Sequence, residues 1–189
     1  SSWNGSMRSH VLSIEYGGMN DCLYELYKYT RSQNHLDAAH IFDEEDFFSP
    51  LSQGQDILNG RHANTQIPKI IGALNRFRTL GAAEAYYFDV AEQFWELVVN
   101  NHTYVTGGNS QLEHFHEPRQ LDSRRDNTNN ETCNSYNMLK LSRELFKITA
   151  GVKYADFYER GFINEILSAI NPETGMTTYF KPMGTGYHK

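Results

Sequence analysis

Apolar side chains recur at three- and four-residue intervals along most of the chain, the spacing that lines one face of an α-helix. The clearest stretch runs from Ala82 to Asn100, where Ala85, Phe88, Ala91, Phe94, Trp95 and Val98 share a face. Upstream, Trp3, Met7, Val11, Leu12 and Ile14 keep the same spacing over residues 3–15, and Gly17-Gly18 stops them. A second helix is predicted from Asn20 to about Ser32, with Leu23, Leu26 and Tyr27 inward. A third is predicted from about His35 to Phe47, with Leu36, Ala39, His40 and Ile41 inward and Pro50 closing it. A fourth spans about Ile67 to Leu80, with Pro68 in its first turn, where a missing N–H is tolerated. Two later helices run from Ser135 to Ile148, through Met138, Leu141, Leu145 and Phe146, and from Tyr154 to Ile170, through Phe157, Phe162, Ile166 and Leu167. Met176 to Phe180 reads as a short strand-like run before Pro182.

Seven helices in series predict an all-α chain, without a tetratricopeptide or ankyrin repeat. Long polar loops separate them, at 17–21, 60–69, 107–121 and 129–137, and each carries Gly, Asn, His or acidic residues. By analogy, the loops at one rim of an α/α toroid build its active site, and the alternation here fits that plan. Seven helices make an incomplete arc of such a toroid. The last residues, Tyr187-His188-Lys189, bring no closing helix, so residues 1–189 are expected to be part of a longer catalytic domain.

The 189 residues are 39% hydrophobic and 21% charged, enough to bury a core. A net charge of −6 argues against a duplex-binding surface, so no nucleic-acid partner is expected. No run reaches about 18 apolar residues, so no membrane span is expected, and the first residues lack the apolar core of a signal peptide. Two cysteines, Cys22 and Cys133, do not make a disulfide framework. Aromatic residues are 13% of the chain and Tyr leads them; a ring with a polar tip suits a sugar platform and equally a wet core edge.

Four loops hold candidate chemistry. Glu131-Thr132-Cys133 puts a carboxylate and a thiol two residues apart just before a helix. Both are zinc-ligand types, and the helix N-terminus favours a thiolate; a capping Glu beside a buried Cys is the plainer reading. Glu113-His114-Phe115-His116-Glu117 follows a Gly-Gly turn, and a glutamate among rings can have its pKa raised toward the general-acid range; a solvated polar loop is the plain alternative. His62-Ala63-Asn64-Thr65-Gln66 offers an array of hydrogen-bond partners, for sugar hydroxyls or for a helix start. Gly17-Gly18-Met19-Asn20-Asp21 allows close backbone approach or a simple turn.

Taken in order, GGMND (17–21), HANTQIPK (62–69), TGGNSQLEHF (106–115), ETCNSYNMLKL (131–141), YADFYER (154–160) and NPETGMTTYFKPM (171–183) closely resemble the β-L-arabinofuranosidase glycoside hydrolases of families 127 and 146, once grouped as DUF1680. The resemblance runs from about residue 10 to the end and several motifs sit nearer the family 146 branch. It implies an (α/α)6-barrel catalytic domain that releases terminal β-L-arabinofuranose with retention, through a zinc-bound cysteine nucleophile. By motif, Glu113 is the acid/base, and Glu131 and Cys133 are zinc ligands. His62, Glu159 and Tyr179 match sugar-contacting positions, and Asn20 and Asp21 belong to a substrate-facing turn. Cys22 matches no ligand and reads as a core thiol.

The family's other two zinc ligands are an adjacent Cys-Cys pair downstream of the Tyr-Phe-x-Pro motif, one of them the nucleophile. Residues 1–189 hold no such pair, so this chain alone is expected neither to hydrolyse glycosides nor to bind zinc tightly. The implied partner is an arabinose-containing oligosaccharide or polysaccharide. A homo-oligomer through exposed barrel edges is a further expectation. Reduced zinc thiolates favour the cytoplasm, with a periplasmic or secreted location left open. Two other readings are another α/α-barrel sugar enzyme such as a 2-epimerase, using histidines without zinc, and a non-catalytic carbohydrate-binding module.

Overall fold

The computed structural model describes residues 4–14 and 16–186; Trp3 and the terminal Tyr187, His188 and Lys189 lie outside the described residues. It is all-α, as the periodicity predicts, with eight α-helices among the described residues. These are α1 (Gly5–Ser13), α2 (Met19–Thr30), α3 (Gln33–Ile41), α4 (Glu45–Ser52), α5 (Ala63–Leu80), α6 (Ala85–Leu97), α7 (Thr132–Thr149) and α8 (Val152–Gly161). None is long and apolar enough to cross a membrane.

The differences from the periodic reading have local causes. The predicted third helix is two, α3 and α4, broken at Phe42–Glu44 because Asp43 turns inward. Its carboxylate accepts from the Tyr24 hydroxyl (2.5 Å) and from Arg76 Nη1 (2.8 Å). Pro50 lies inside α4 rather than closing it. Helix α5 starts at Ala63, so Pro68 is its sixth residue and not in the first turn. Helix α1 buries no residue, and Met7 and Ile14 are exposed. In α2 the inward positions are Asn20 and Tyr24, while Leu26 faces out. Cys22 is exposed, not a core thiol.

The predicted Tyr154–Ile170 helix holds its register only as far as Gly161. A π-helical turn over Phe162–Ile166 and a 3₁₀ turn over Leu167–Ala169 follow. Over these turns Glu165 and Ala169 are buried while Phe162 and Leu167 are exposed. The strand-like run at 176–180 forms no strand; a single antiparallel bridge joins Ile170 to Thr177.

The chain divides into two compact units, Ser1–Gln55 with Thr65–Phe94, and Asp56–Asn64 with Trp95–Lys189. In the first, Tyr24, Leu36 and Ala39 form a buried cluster, flanked by Leu23, Tyr27 and Leu80. In the second, Trp95 packs edge-on against Tyr154 and Phe157, and its indole N–H donates to Ser142 Oγ at 2.8 Å. That bond satisfies a donor which burial would otherwise leave costly. Glu131 stands at the start of α7, and the segment that holds Tyr179 follows α8.

Candidate functional site

Within the second unit, short backbone pairings bring four loops together. Residues 60–63 run antiparallel to 113–115: Ala63 N–H donates to the Glu113 carbonyl (2.8 Å), Phe115 N–H to Arg61 (2.9 Å) and Gly60 N–H to Phe115 (2.8 Å). This ladder sets His62 beside Glu113, and His62 Nε2 lies 3.2 Å from Glu113 Oε2. Leu112 N–H donates to Thr128 (2.9 Å), Thr132 N–H to Tyr179 (3.2 Å) and Lys181 N–H to Asn129 (2.8 Å), so the 179–181 segment lies along 129–132.

Tyr179 completes the cluster. Its hydroxyl lies 2.8 Å from Glu113 Oε1 and 2.5 Å from Glu131 Oε1. A phenol has one hydrogen, so it donates to one carboxylate at a time. Hydrogen bonds to Glu131, then Glu113, push the Tyr179 hydroxyl far above the usual phenol range. The Tyr179 hydroxyl first, and the His62 ring after it, outweigh burial and hold Glu113 below the usual glutamate range. This corrects the expectation of a raised Glu113: the rings around it bring hydrogen-bond donors as well as an apolar wall.

The backbone at Glu113 is left-handed, φ +68°, with Leu112 at +47° and Ser110 at +75°. Non-glycine residues avoid this region, and here the ladder to 61–63 holds it. His114 Nδ1 donates to the Leu112 carbonyl (2.6 Å), and its ring meets that of His62 edge-on at 5.2 Å.

Glu131 is buried at the N-cap of α7, and Cys133 is half-buried in its first turn. Glu131 Oε2 has no hydrogen-bond partner. Burial first, then the hydrogen bond and charge of Glu131, push the Cys133 thiol up to about 11, opposite to the expected helix effect. A nearby carboxylate outweighs the partial charge of the helix end. An orphaned carboxylate oxygen beside a thiol held protonated is a pair that a cation would relieve on both sides. The donor types fit zinc, although no group of three or more His, Cys, Asp or Glu could hold a metal among the described residues.

Other sequence candidates lie elsewhere. Glu159 sits on the exposed face of α8, and no contact ties it to Glu113, Tyr179 or Glu131 among the described residues. Asn20 and Asp21 belong to the first unit. Asn20 is fully buried, and its amide donates to Asp43 (3.3 Å) and to the Lys69 carbonyl (3.0 Å). Asp21 accepts from the Asn75 amide at 2.8 Å. Sequence reasoning missed Asn130 and Glu165, both fully buried and joined side chain to side chain at 3.2 Å. An Asn before Glu131, tolerant of left-handed backbone, and an acid inside the apolar run Phe162-Ile163-Asn164-Glu165-Ile166 were the available signals.

Comparison with known proteins gives the same direction. The family model for the GH127 catalytic domain of beta-L-arabinofuranosidase matches residues 4–189. Among solved structures the fold is similar to that of a GH127 beta-arabinofuranosidase, with a TM-score of 0.72 and 23% identity, covering 87% of this chain and 27% of that one. It is similar to that of a glycoside hydrolase, with a TM-score of 0.71 and 17% identity, covering 100% and 35%. Ara127N, a GH127 beta-L-arabinofuranosidase from Geobacillus stearothermophilus T6, gives a TM-score of 0.64 and 18% identity, covering 93% and 34%. The likeness is one of fold, the helical toroid domain. The chain spans 27% to 35% of the length of these structures. No curated protein sequence matches it.

Proposed function

We propose, since the chain belongs to the GH127 beta-L-arabinofuranosidase catalytic-domain family, that it is part of a glycoside hydrolase releasing terminal β-L-arabinofuranose with retention from an arabinose-containing glycan. Glu113 is the acid/base in this reading, and the attacking cysteine comes from a further part of the protein. What carries the reading is the Tyr179 hydroxyl, which touches both Glu113 and Glu131.

That contact supports the reading because it links the proposed proton donor to the proposed metal donors. Glu113 is one-third exposed, which leaves its carboxyl group open to an approaching leaving oxygen. The His62 ring lies at one carboxyl oxygen and the Tyr179 hydroxyl at the other, and because that hydroxyl can accept from protonated Glu113 while donating to Glu131, the carboxyl group keeps its orientation as its proton is exchanged. Protonated Glu113 gives its proton to the departing oxygen; the carboxylate then takes a proton from the water that releases the sugar. Open space beside Tyr179, lined by Thr132, Ile166, Ile170, Thr177 and Thr178, offers hydroxyls and apolar surface for a furanose.

Glu131 Oε2 and Cys133 Sγ would supply two of the zinc donors. Bound zinc keeps its sulfur donors anionic and tempers their nucleophilicity. Glu131 then serves twice, toward the metal with its unpartnered oxygen and toward Tyr179 with the other.

The test is hydrolysis of an aryl β-L-arabinofuranoside by the full-length protein and by its Glu113→Gln variant. Turnover that falls by about 10²-fold or more in the variant, with zinc content unchanged, is the expected result. Equal turnover in the two overturns the acid/base assignment. A folded, zinc-loaded protein that spares arabinofuranosides overturns the substrate. Chelation of the full-length protein is expected to abolish turnover, with recovery on adding zinc.

A further inference from the structure

We infer that Glu165 is a positioning residue for the Glu131 metal donor, acting through the side chain of Asn130. The inference rests on the functional reading above, which takes Glu131 as a zinc ligand.

Asn130 stands immediately before Glu131, so its backbone sets where the Glu131 side chain starts. That backbone is left-handed, φ +52°. Asn tolerates the conformation better than most residues but still needs holding. Its own main-chain bond among the described residues runs from Asn130 N–H to the Ser110 carbonyl at 3.3 Å, with Asn129 and Thr132 on either side paired to Lys181 and Tyr179. The side chain adds to these. Asn130 Nδ2 donates to Thr106 Oγ1 and to Glu165 Oε1, each at 3.2 Å.

The clamp is built into both neighbouring segments. A Cβ on residue 108 would lie 2.4 Å from Asn130 Cγ, so Gly108 is the residue that lets the amide lie against the 106–110 loop. The other carboxylate oxygen, Glu165 Oε2, is buried without a hydrogen-bond partner. The Asn130 amide therefore ties the 106 turn and Glu165 Oε1 to the 130 turn. Glu165 is fully buried, a place where a carboxylate is costly and is kept only with partners. It stands within the π-helical turn at Phe162–Ile166, about three turns on from buried Tyr154 and on the same side of the helix, while Phe162 is exposed.

Groups that orient a metal ligand from behind set its affinity, and their loss weakens binding by roughly 10- to 100-fold. The experiment measures zinc affinity of the full-length protein by chelator competition, with cobalt substituted for zinc to read the thiolate absorption band. Glu165→Leu removes the acceptor, and about 10- to 100-fold weaker zinc binding with a diminished band is expected. Glu165→Gln keeps an oxygen toward Asn130 Nδ2, and recovery to within about threefold of the parent is expected, a rescue that general loss of packing would not give. Asn130→Gly keeps the left-handed backbone and drops the amide, so it tests the same link if Glu165→Leu fails to fold; it should match Glu165→Leu.

Asn130→Gly or folded Glu165→Leu protein holding zinc as tightly as the parent overturns the inference alone. So does a Gln variant as weak as the Leu one. A parent protein that binds zinc no better than its Cys133→Ser variant overturns the functional reading and this inference with it.

Discussion

The hydroxyl of Tyr179 lies 2.8 Å from Glu113 Oε1, although 66 residues separate the two along the chain. The contact depends on two backbone pairings made independently, one between 60–63 and 113–115 and one between 129–132 and 179–181. It makes the protonation of Glu113 a property of a distant loop.

Removing that hydroxyl should show this directly. Tyr179→Phe takes away the leading cause that holds Glu113 below the usual glutamate range. Glu113 is therefore expected to titrate at higher pH in the variant. Carbon-13 NMR of glutamate carboxyls, with the Glu113 signal assigned by its absence in Glu113→Gln, follows the midpoint. A midpoint that stays put or falls would refute the role given to Tyr179.

A second titration bears on stability. Asp56 Oδ2 accepts from His102 Nε2 at 2.9 Å and from the Asn101 amide at 2.8 Å. Burial raises its pKa, but the His102 ring and the Asn101 amide outweigh burial and leave it below the aspartate range. A depressed folded-state pKa contributes stability that is fully present above the unfolded value, about 3.9, and is lost as pH falls through the folded one. Asp56→Asn should therefore cost about 1–3 kcal/mol at neutral pH. The gap to the parent should begin to narrow below about pH 4 and close only as pH falls through the depressed folded value. Urea denaturation at both pH values measures it, and a gap that persists in acid would count against the linkage.

The left-handed backbone at Glu113 reverses an ordinary preference. Glycine usually costs stability relative to alanine, but at φ +68° alanine keeps the strain and glycine relieves it. Glu113→Gly is expected to be about 1 kcal/mol more stable than Glu113→Ala, both being without the carboxylate. Equal stability, or a more stable Ala variant, would mean that the loop relaxes and carries no strain.

Two glycines in the same unit separate backbone strain from crowding. Gly107 has φ +103°, and a Cβ there would lie 2.8 Å from Gly161 Cα; Gly60 has φ +77° with open space around it. Gly60→Ala should cost about 1 kcal/mol from strain alone. Gly107→Ala adds a clash with main chain that cannot swing aside and should cost about 1–3 kcal/mol more. Thermal unfolding of the two variants side by side decides it, and similar losses would place no weight on the 107–161 approach.

The helical character of the chain was legible because burial on one face imposes a repeat that sequence displays directly. Ala91, Phe94, Trp95 and Val98 are buried as their spacing predicts. The breaks were less legible. Asp43 reads as one more charge in an acidic run, and only its long-range partners Tyr24 and Arg76 turn it inward and divide α3 from α4. The same holds for the site. Glu113, Glu131, Cys133, His62 and Tyr179 were singled out as candidates through motifs, since nothing in their spacing says that loops so far apart pair by backbone. The Cys133 thiol went the other way from the expectation because the helix end was visible in sequence and the adjacent carboxylate's orientation was not.

The π-helical turn at Phe162–Ile166 also has a genetic meaning. Such a turn is an α-helix with one residue too many. Deleting a single codon there would restore regular α spacing and shorten the segment between Gly161 and Leu167 by one residue, with the helix on either side free to keep its register. The buried contact of Glu165 with Asn130 is thus made from within the one stretch of this helix that can lose a residue without turning the rest of it.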